Sequence, residues 1–156
     1  MQSMFDITTI TPSHPQVRAL LTEHHHAMWQ HSPAESIHAL DYSALAQPDI
    51  TFWGVWHNNQ LAGFGALKNL TDQHAELKSM RTATPFLRQG VARLLMTFIT
   101  EQALKKGYNW LSLETGTATA FLPAQKLYQQ LGFNYCQPFA DYKADPYSTF
   151  MSKTLL

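Results

Sequence analysis

The sequence predicts a mixed α/β sandwich folded as one domain over residues 1–156. Three observations predict it. Stretches of period-two alternation and of 3.6-residue periodicity follow one another in the order β-α-α-β-β-β-α-β-α-β-β. A long helical stretch is opened by a glycine-centred loop that follows the fourth strand. No linker, internal repeat or low-complexity segment interrupts the series.

Composition narrows the function classes. The chain is 45% apolar and 14% charged, as globular domains are and disordered chains are not. A chain of 156 residues is long enough for one sizeable core. Eleven acidic and eleven basic residues cancel, which argues against a nucleic-acid partner held by bulk electrostatics. The lone cysteine, Cys136, excludes an internal disulfide and fits a reducing compartment. The N-terminal residues lack the basic-then-apolar pattern of a signal peptide, and no apolar run approaches the ~20 residues that span a bilayer. The expectation is a cytoplasmic protein with no membrane partner.

The elements follow in order. Phe5 to Ile10 alternates as a strand. Thr11, Ser13, Pro12 and Pro15 start a helix that runs to about Gln30, with Val17, Leu20, Leu21 and Met28 inward. A second helical stretch follows Ser32-Pro33, carries Ile37 and Leu40, and ends at Pro48. Ile50–Trp56 and Gln60–Leu67 are two strands joined at His57-Asn58-Asn59, where asparagine tolerates the positive φ of a tight hairpin. Gly63 and Gly65 clear one face of the second strand or mark a bulge. Ala75–Thr82 is the fourth strand. Val91, Leu94, Leu95, Phe98, Ile99 and Ala103 then form one apolar helical face, closed by Gly107. Trp110–Thr115 is a buried strand. Thr117 or Thr119 is expected to cap the next helix, with Pro123 early and Gly132 as its stop. Phe133–Gln137 and Ser148–Leu155 are strands, separated by a loop over Pro138–Pro146.

The loop Leu87-Arg88-Gln89-Gly90-Val91-Ala92 carries the first chemical signal. Gly90 lets the backbone bend tightly and a ligand come close. Arg88 and Arg93 flank it with positive charge. The first N–H groups of a helix have no intrahelical partner, and the helix dipole adds partial positive charge there. Together these make a seat for a phosphate or pyrophosphate. No Gly-Lys-Ser/Thr follows, which excludes a nucleotide-binding P-loop.

A strand, a loop of form Q/R-x-x-G-x-G/A and a helix resemble motif A of the GNAT acetyltransferases, which bind acetyl-CoA. Leu87-x-x-Gly90-x-Ala92 carries the match, with Leu87 where the family usually has Gln or Arg. Downstream, Ala124-Gln125-Lys126-Leu127-Tyr128-Gln129-Gln130-Leu131-Gly132-Phe133 resembles the family's A-x-x-L-Y-x-x-x-G-F, with Phe121 where Asn is frequent. L-R-x-G-V-A, S-L-E-T-G and the ending Pro138-Phe139-Ala140-Asp141-Tyr142 are similar to the YsnE-like branch of that family. The resemblance covers nearly the whole chain. It implies the GNAT fold: a mixed, largely antiparallel sheet of six to seven strands flanked by about four helices, with the fourth and fifth strands splayed. In that fold the pantetheine arm of acetyl-CoA enters the splay and hydrogen-bonds like an added strand. The resemblance gives those backbone bonds to Met80, Arg81 and Thr82, and the pyrophosphate to Leu87, Arg88, Gln89, Gly90, Val91, Ala92 and Arg93.

The implied activity is acetyl-CoA-dependent N-acetyl transfer to a small-molecule or amino-acid-like amine, direct and within a ternary complex. That chemistry needs the amine deprotonated and benefits from a proton for the departing thiolate. Tyr128 resembles the family's acid, whose hydroxyl points at the CoA sulfur; as a core aromatic it would simply pack. Glu76 lies four residues before Met80, the spacing of the strand glutamate in the histone-acetylating branch, and alternation puts Glu76, Lys78 and Met80 on one face. Glu114 is the rival base, on a strand expected to be central, where a carboxylate needs a partner. A water chain without a dedicated base is the third option.

Other residues complete the inventory. His24-His25-His26 point ~100° apart on a helix and cannot share one ion, and H-E-x-x-H is absent, so no metal is expected. By fold analogy His26, Trp29 and Trp53 could touch the acceptor, with core packing the alternative for both tryptophans. Asp141 or Asp145, in the closing loop, could hold a cationic amine, or lie in an ordinary surface loop. Cys136 reads as packing. Two other functions stay open. A non-catalytic acyl-CoA sensor is allowed by the departures at Leu87 and Phe121, and a protein or peptide N-acetyltransferase is disfavoured by the neutral charge. Exposed strand ends in this fold often pair, so a homodimer is a further expectation.

Overall fold

The computed structural model of the chain describes residues 4–31 and 45–155, the side chains of 24–31 excepted. Seven strands, β1 (Asp6–Thr9), β2 (Ile50–His57), β3 (Gln60–Asn69), β4 (His74–Thr82), β5 (Trp110–Gly116), β6 (Asn134–Cys136) and β7 (Ser148–Thr154), form one sheet in the order β1-β2-β3-β4-β5-β7-β6. Three helices are described: α1 (Pro15–His31), α2 (Val91–Lys105) and α3 (Leu122–Gln130). This is the GNAT arrangement expected from the sequence. The second helical stretch, with Ile37 and Leu40, lies outside the described residues. No described helix is long and apolar enough to cross a bilayer.

Every strand pairing is antiparallel except β4 with β5, which is parallel. The β2–β3 hairpin turns on Asn58 at φ 55°, the positive value that Asn accommodates. The parallel ladder is short. It joins His74–Leu77 to Trp110–Leu113 and stops there, although β4 runs on to Thr82 and β5 to Gly116. Beyond Leu77 and Leu113 the two strands part.

A bulge sits at the parting. Ala66 of β3 pairs with Lys78 while Phe64 pairs with Arg81, so Gly65 faces both Ser79 and Met80. Ser79 takes φ 55° to accommodate the extra residue. The bulge corrects one expectation. Glu76 and Lys78 do share a face, but Met80 turns to the other, where its sulfur packs over Gly65 beside Leu95 and Ile99 of α2.

The two sheet faces are covered differently. On one lie α2 and α3. Val91, Leu95, Met96, Ile99 and Ala103 of α2 are buried there, each larger side chain stabilising by ~1.5–3 kcal/mol on removal from water. Trp53 is buried on this face with its ring edge-on to Phe98 at 5.8 Å, so it is a core residue. Arg93 of α2 donates to the side-chain oxygen of Gln130, which ties α2 to α3. The N-terminus of α3 also departs from expectation. Neither Thr117 nor Thr119 caps it: Thr117 donates to the Pro146 carbonyl, and a 3₁₀ turn over Thr119–Phe121 leads in, with Phe121 at the cap.

The opposite face carries α1 and the segment 138–147. His14 packs edge-on to Trp56 at 5.3 Å, and Glu23 accepts from Arg81 at 3.2 Å and Thr84 at 2.8 Å. Phe139 and Tyr142 fold back onto Phe150 of β7, at 5.9 and 5.4 Å between ring centroids. Cys136 is half-buried on β6.

The close approach of α2 to the sheet depends on Gly63 and Gly65. A Cβ at Gly63 would lie 2.8 Å from the Arg81 carbonyl oxygen and 3.1 Å from Val91 Cγ1, so the end of β4 would have to move. Gly63→Ala should therefore lower stability by ~1–3 kcal/mol in urea unfolding; an unchanged midpoint would contradict this packing.

Candidate functional site

The turn into α2 is shaped by two left-handed residues, Arg88 at φ 64° and Gly90 at φ 83°. Gly90 caps the helix, and a Cβ built on it meets nothing within 4 Å, so the space over it is open. The first backbone bond of the helix runs from the Leu94 N–H to the Gly90 carbonyl at 3.0 Å, which leaves the preceding N–H groups at the helix end for an outside acceptor. Leu87, Arg88 and Gln89 are exposed, and the Gln89 amide donates to the Pro85 carbonyl. Val91 is buried and Ala92 half-buried, so these two offer the site backbone and not side chain. Arg93 is engaged by Gln130. Open space, free donors and the Arg88 charge fit a pyrophosphate. The parted edges of β4 and β5 begin on the same sheet, past Leu77 and Leu113.

Tyr128 lies on α3, buried against Phe133 with ring centroids 6.0 Å apart. Burial pushes its phenol up to about 12, so it stays protonated across the physiological range. Its hydroxyl makes no hydrogen bond to another described residue. The neighbouring turn of α3 is pinned instead by Gln125, which donates to the Gly116 carbonyl at 2.8 Å and accepts from the Tyr135 hydroxyl.

Glu76 lies on the opposite face and is almost fully buried, at 2% exposure. A buried carboxylate needs partners, and it has two. Tyr142 donates its hydroxyl to Glu76 Oε2 at 2.6 Å, and the Lys78 ammonium lies 3.4 Å from the same oxygen. Lys78 also donates to the Tyr142 oxygen at 3.0 Å, closing a three-membered cluster. Burial first, and then the Glu76 charge, raise the Tyr142 phenol far above its ordinary value, so it remains a donor. Glu114 accepts from Ser148 Oγ at 2.7 Å.

The cluster forms one wall of a pocket of about 570 Å³. Lys68, Glu76 and Lys78 line it from the sheet, Leu70 from the β3–β4 turn, and residues 140–145 from the covering segment. Glu76, Asp141 and Asp145 are thus brought together, while Glu114 does not line the pocket.

A profile of the acetyltransferase (GNAT) family matches residues 14–133. The chain belongs to that family. Among its relatives, the uncharacterised N-acetyltransferase YsnE of Bacillus subtilis is 54% identical over 140 residues, 90% of this chain and 93% of that protein. The uncharacterised N-acetyltransferase YedL of Escherichia coli is 52% identical, over 97% of this chain and 96% of its own. A crystal structure described as an acyl-CoA N-acyltransferase from Klebsiella pneumoniae superposes with a TM-score of 0.82 at 26% identity, covering 99% of this chain and all of that one.

Within this GNAT frame the residues singled out by sequence divide between the two faces of the sheet. The Gly90 loop and Tyr128 stand with α2 and α3, Glu76 and Asp141 with the pocket. That Tyr142 and Lys78 hold Glu76 is not legible in the sequence. Tyr142 lies 66 residues from the carboxylate it binds, and only the alternation of Glu76 with Lys78 gave a local hint. The side chains of His26 and Trp29 lie outside the described residues. Tyr142→Phe removes the short donor to a buried carboxylate, so it should lower stability by ~1–3 kcal/mol. Urea unfolding measures this, and an equal midpoint would show that Lys78 alone satisfies Glu76.

Proposed function

We propose that this GNAT acetyltransferase moves the acetyl group of acetyl-CoA to a primary amine of a small acceptor, directly and within a ternary complex. The observation that carries the reading is the parting of β4 from β5 between a helix-end anion seat and a pocket walled by Glu76. The neutral chain and compact pocket favour a small acceptor over a basic protein tail.

Acetyl-CoA, when bound, supplies an acetyl group activated as a thioester. The residues of this chain do the rest. The N–H groups at the start of α2, with Arg88, hold the pyrophosphate, and the free edge of β4 at Met80, Arg81 and Thr82 offers the pantetheine arm a strand to lie along. The pocket holds the acceptor, and Glu76 takes one proton from its ammonium to free the lone pair that attacks the thioester carbonyl; the nitrogen's second proton passes to water as the amide forms. Tyr142 and Lys78 keep that carboxylate in place. As the C–S bond breaks, Tyr128 gives its hydroxyl proton to the departing sulfur. Burial pushes its phenol up to about 12, so the hydroxyl still carries its proton when the sulfur departs. Glu114, fixed to Ser148 and outside the pocket, supports the strand and takes no proton.

Two substitutions test separate halves of this reading. Gly90→Glu fills the seat with bulk and negative charge, and acetyl-CoA binding measured by calorimetry should be lost; unchanged affinity contradicts the seat. Tyr128→Phe should lower kcat by ~10²-fold or more with acetyl-CoA affinity intact. Equal kcat would remove Tyr128 from the reaction.

A further inference from the structure

We propose that the acceptor carries a carboxylate as well as an amine, and that Lys68 and Lys143 hold that carboxylate in the pocket beside Glu76. The proposal rests on the acetyl-transfer reading above and narrows its substrate to a zwitterion of amino-acid type.

Lys68 stands directly across the β3–β4 ladder from Glu76. Opposite charges at facing positions ordinarily pair. Here Glu76 is already taken by Tyr142 and Lys78 from its own side, and the half-buried Lys68 makes no ion pair or hydrogen bond with any described residue. A partly desolvated ammonium on the sheet floor of a pocket, with its natural counterion occupied, is a seat for an anion from outside. Lys143 stands in the covering segment that lines the same pocket and is likewise unpaired among the described residues.

The other charges of the pocket fix the polarity of the ligand. Lys78 and Glu76 neutralise each other. Asp145 accepts from the Tyr147 N–H at 2.8 Å. Two ammonium groups, Lys68 and Lys143, then remain against one carboxylate, Asp141. An amine without an acid group would leave both lysines uncompensated. An amino acid meets the set: its carboxylate lies between the lysines, and Asp141 draws its ammonium to the side on which Glu76 stands. A pocket of about 570 Å³ is ample for a molecule of that size.

The test compares amines that differ only in this charge. Thiol release is followed for a series of amino acids, from glycine to 6-aminohexanoate, each against its own carboxamide, with phosphoethanolamine as a second anionic probe. Wild-type kcat/KM should favour the acid over its amide by roughly 10–100-fold, the range for a hydrogen bond to a charged group. In Lys68→Met with Lys143→Met the ratio should fall to near unity. Thiol release at equal rates for acid and amide overturns this inference and leaves acetyl transfer standing, as does a preference for phosphoethanolamine over every amino acid. If no amine releases thiol, the transfer reading falls, and the carboxylate seat is judged by NMR-detected binding of the same probes. Acid-specific binding lost in the lysine variants upholds the seat, and equal binding of acids and amides overturns it.

Discussion

The parallel ladder between β4 and β5 ends after Leu77 and Leu113, and most of the molecule is arranged around that ending. Past that point each strand keeps its outer partner but leaves backbone donors and acceptors open on the facing edge, which a folded chain tolerates only where solvent or a ligand reaches them. The bulge at Ser79 and Met80 enforces the divergence. It bends β4, turns Met80 toward α2, and releases Arg81 toward Glu23 of α1. Gly63 and Gly65 on the neighbouring strand make room for the displaced residues. The open edge is thus built in by packing on both sides of it.

Charge on the α1 face is concentrated where the strands begin to part. The exposed Arg81–Glu23 pair contributes ~0–1 kcal/mol, as surface pairs do. The Glu76, Lys78 and Tyr142 cluster is of a different order, because removing the charged partner of a buried ion, here Lys78, costs ~3–5 kcal/mol. Burying the cluster is useful only if its geometry is needed, and its geometry fixes Glu76 on the wall of the pocket. The aromatic stack of Phe139, Tyr142 and Phe150 holds the covering segment in the position from which Tyr142 reaches Glu76.

The features legible in the sequence are those set by near neighbours. The α2 face from Val91 to Ala103 repeats at helical period, Asn58 marks a hairpin by its own conformational tolerance, and Gly90 marks a tight bend, which the structure makes at φ 83°. The family motifs around Gly90 and Tyr128 placed both residues on the right elements. What the sequence did not disclose is set by partners far along the chain. The bulge has no glycine to announce it, since Ser79 takes the positive φ. That Lys68 stands across from Glu76 depends on ladder register, and Tyr142 reaches Glu76 across 66 residues. Trp53, which fold analogy could place at the acceptor and its side chain in a core, is decided by its burial and its edge contact with Phe98.

Amide hydrogen exchange with and without acetyl-CoA tests the central claim most directly. The account predicts that acetyl-CoA slows exchange at Met80–Thr82 and at the start of α2, Gly90–Arg93, while the sheet-edge strand β1 is unchanged. Slowed exchange at the sheet edges alone, or none on β4, would contradict the account and place the cofactor somewhere other than the parted strands.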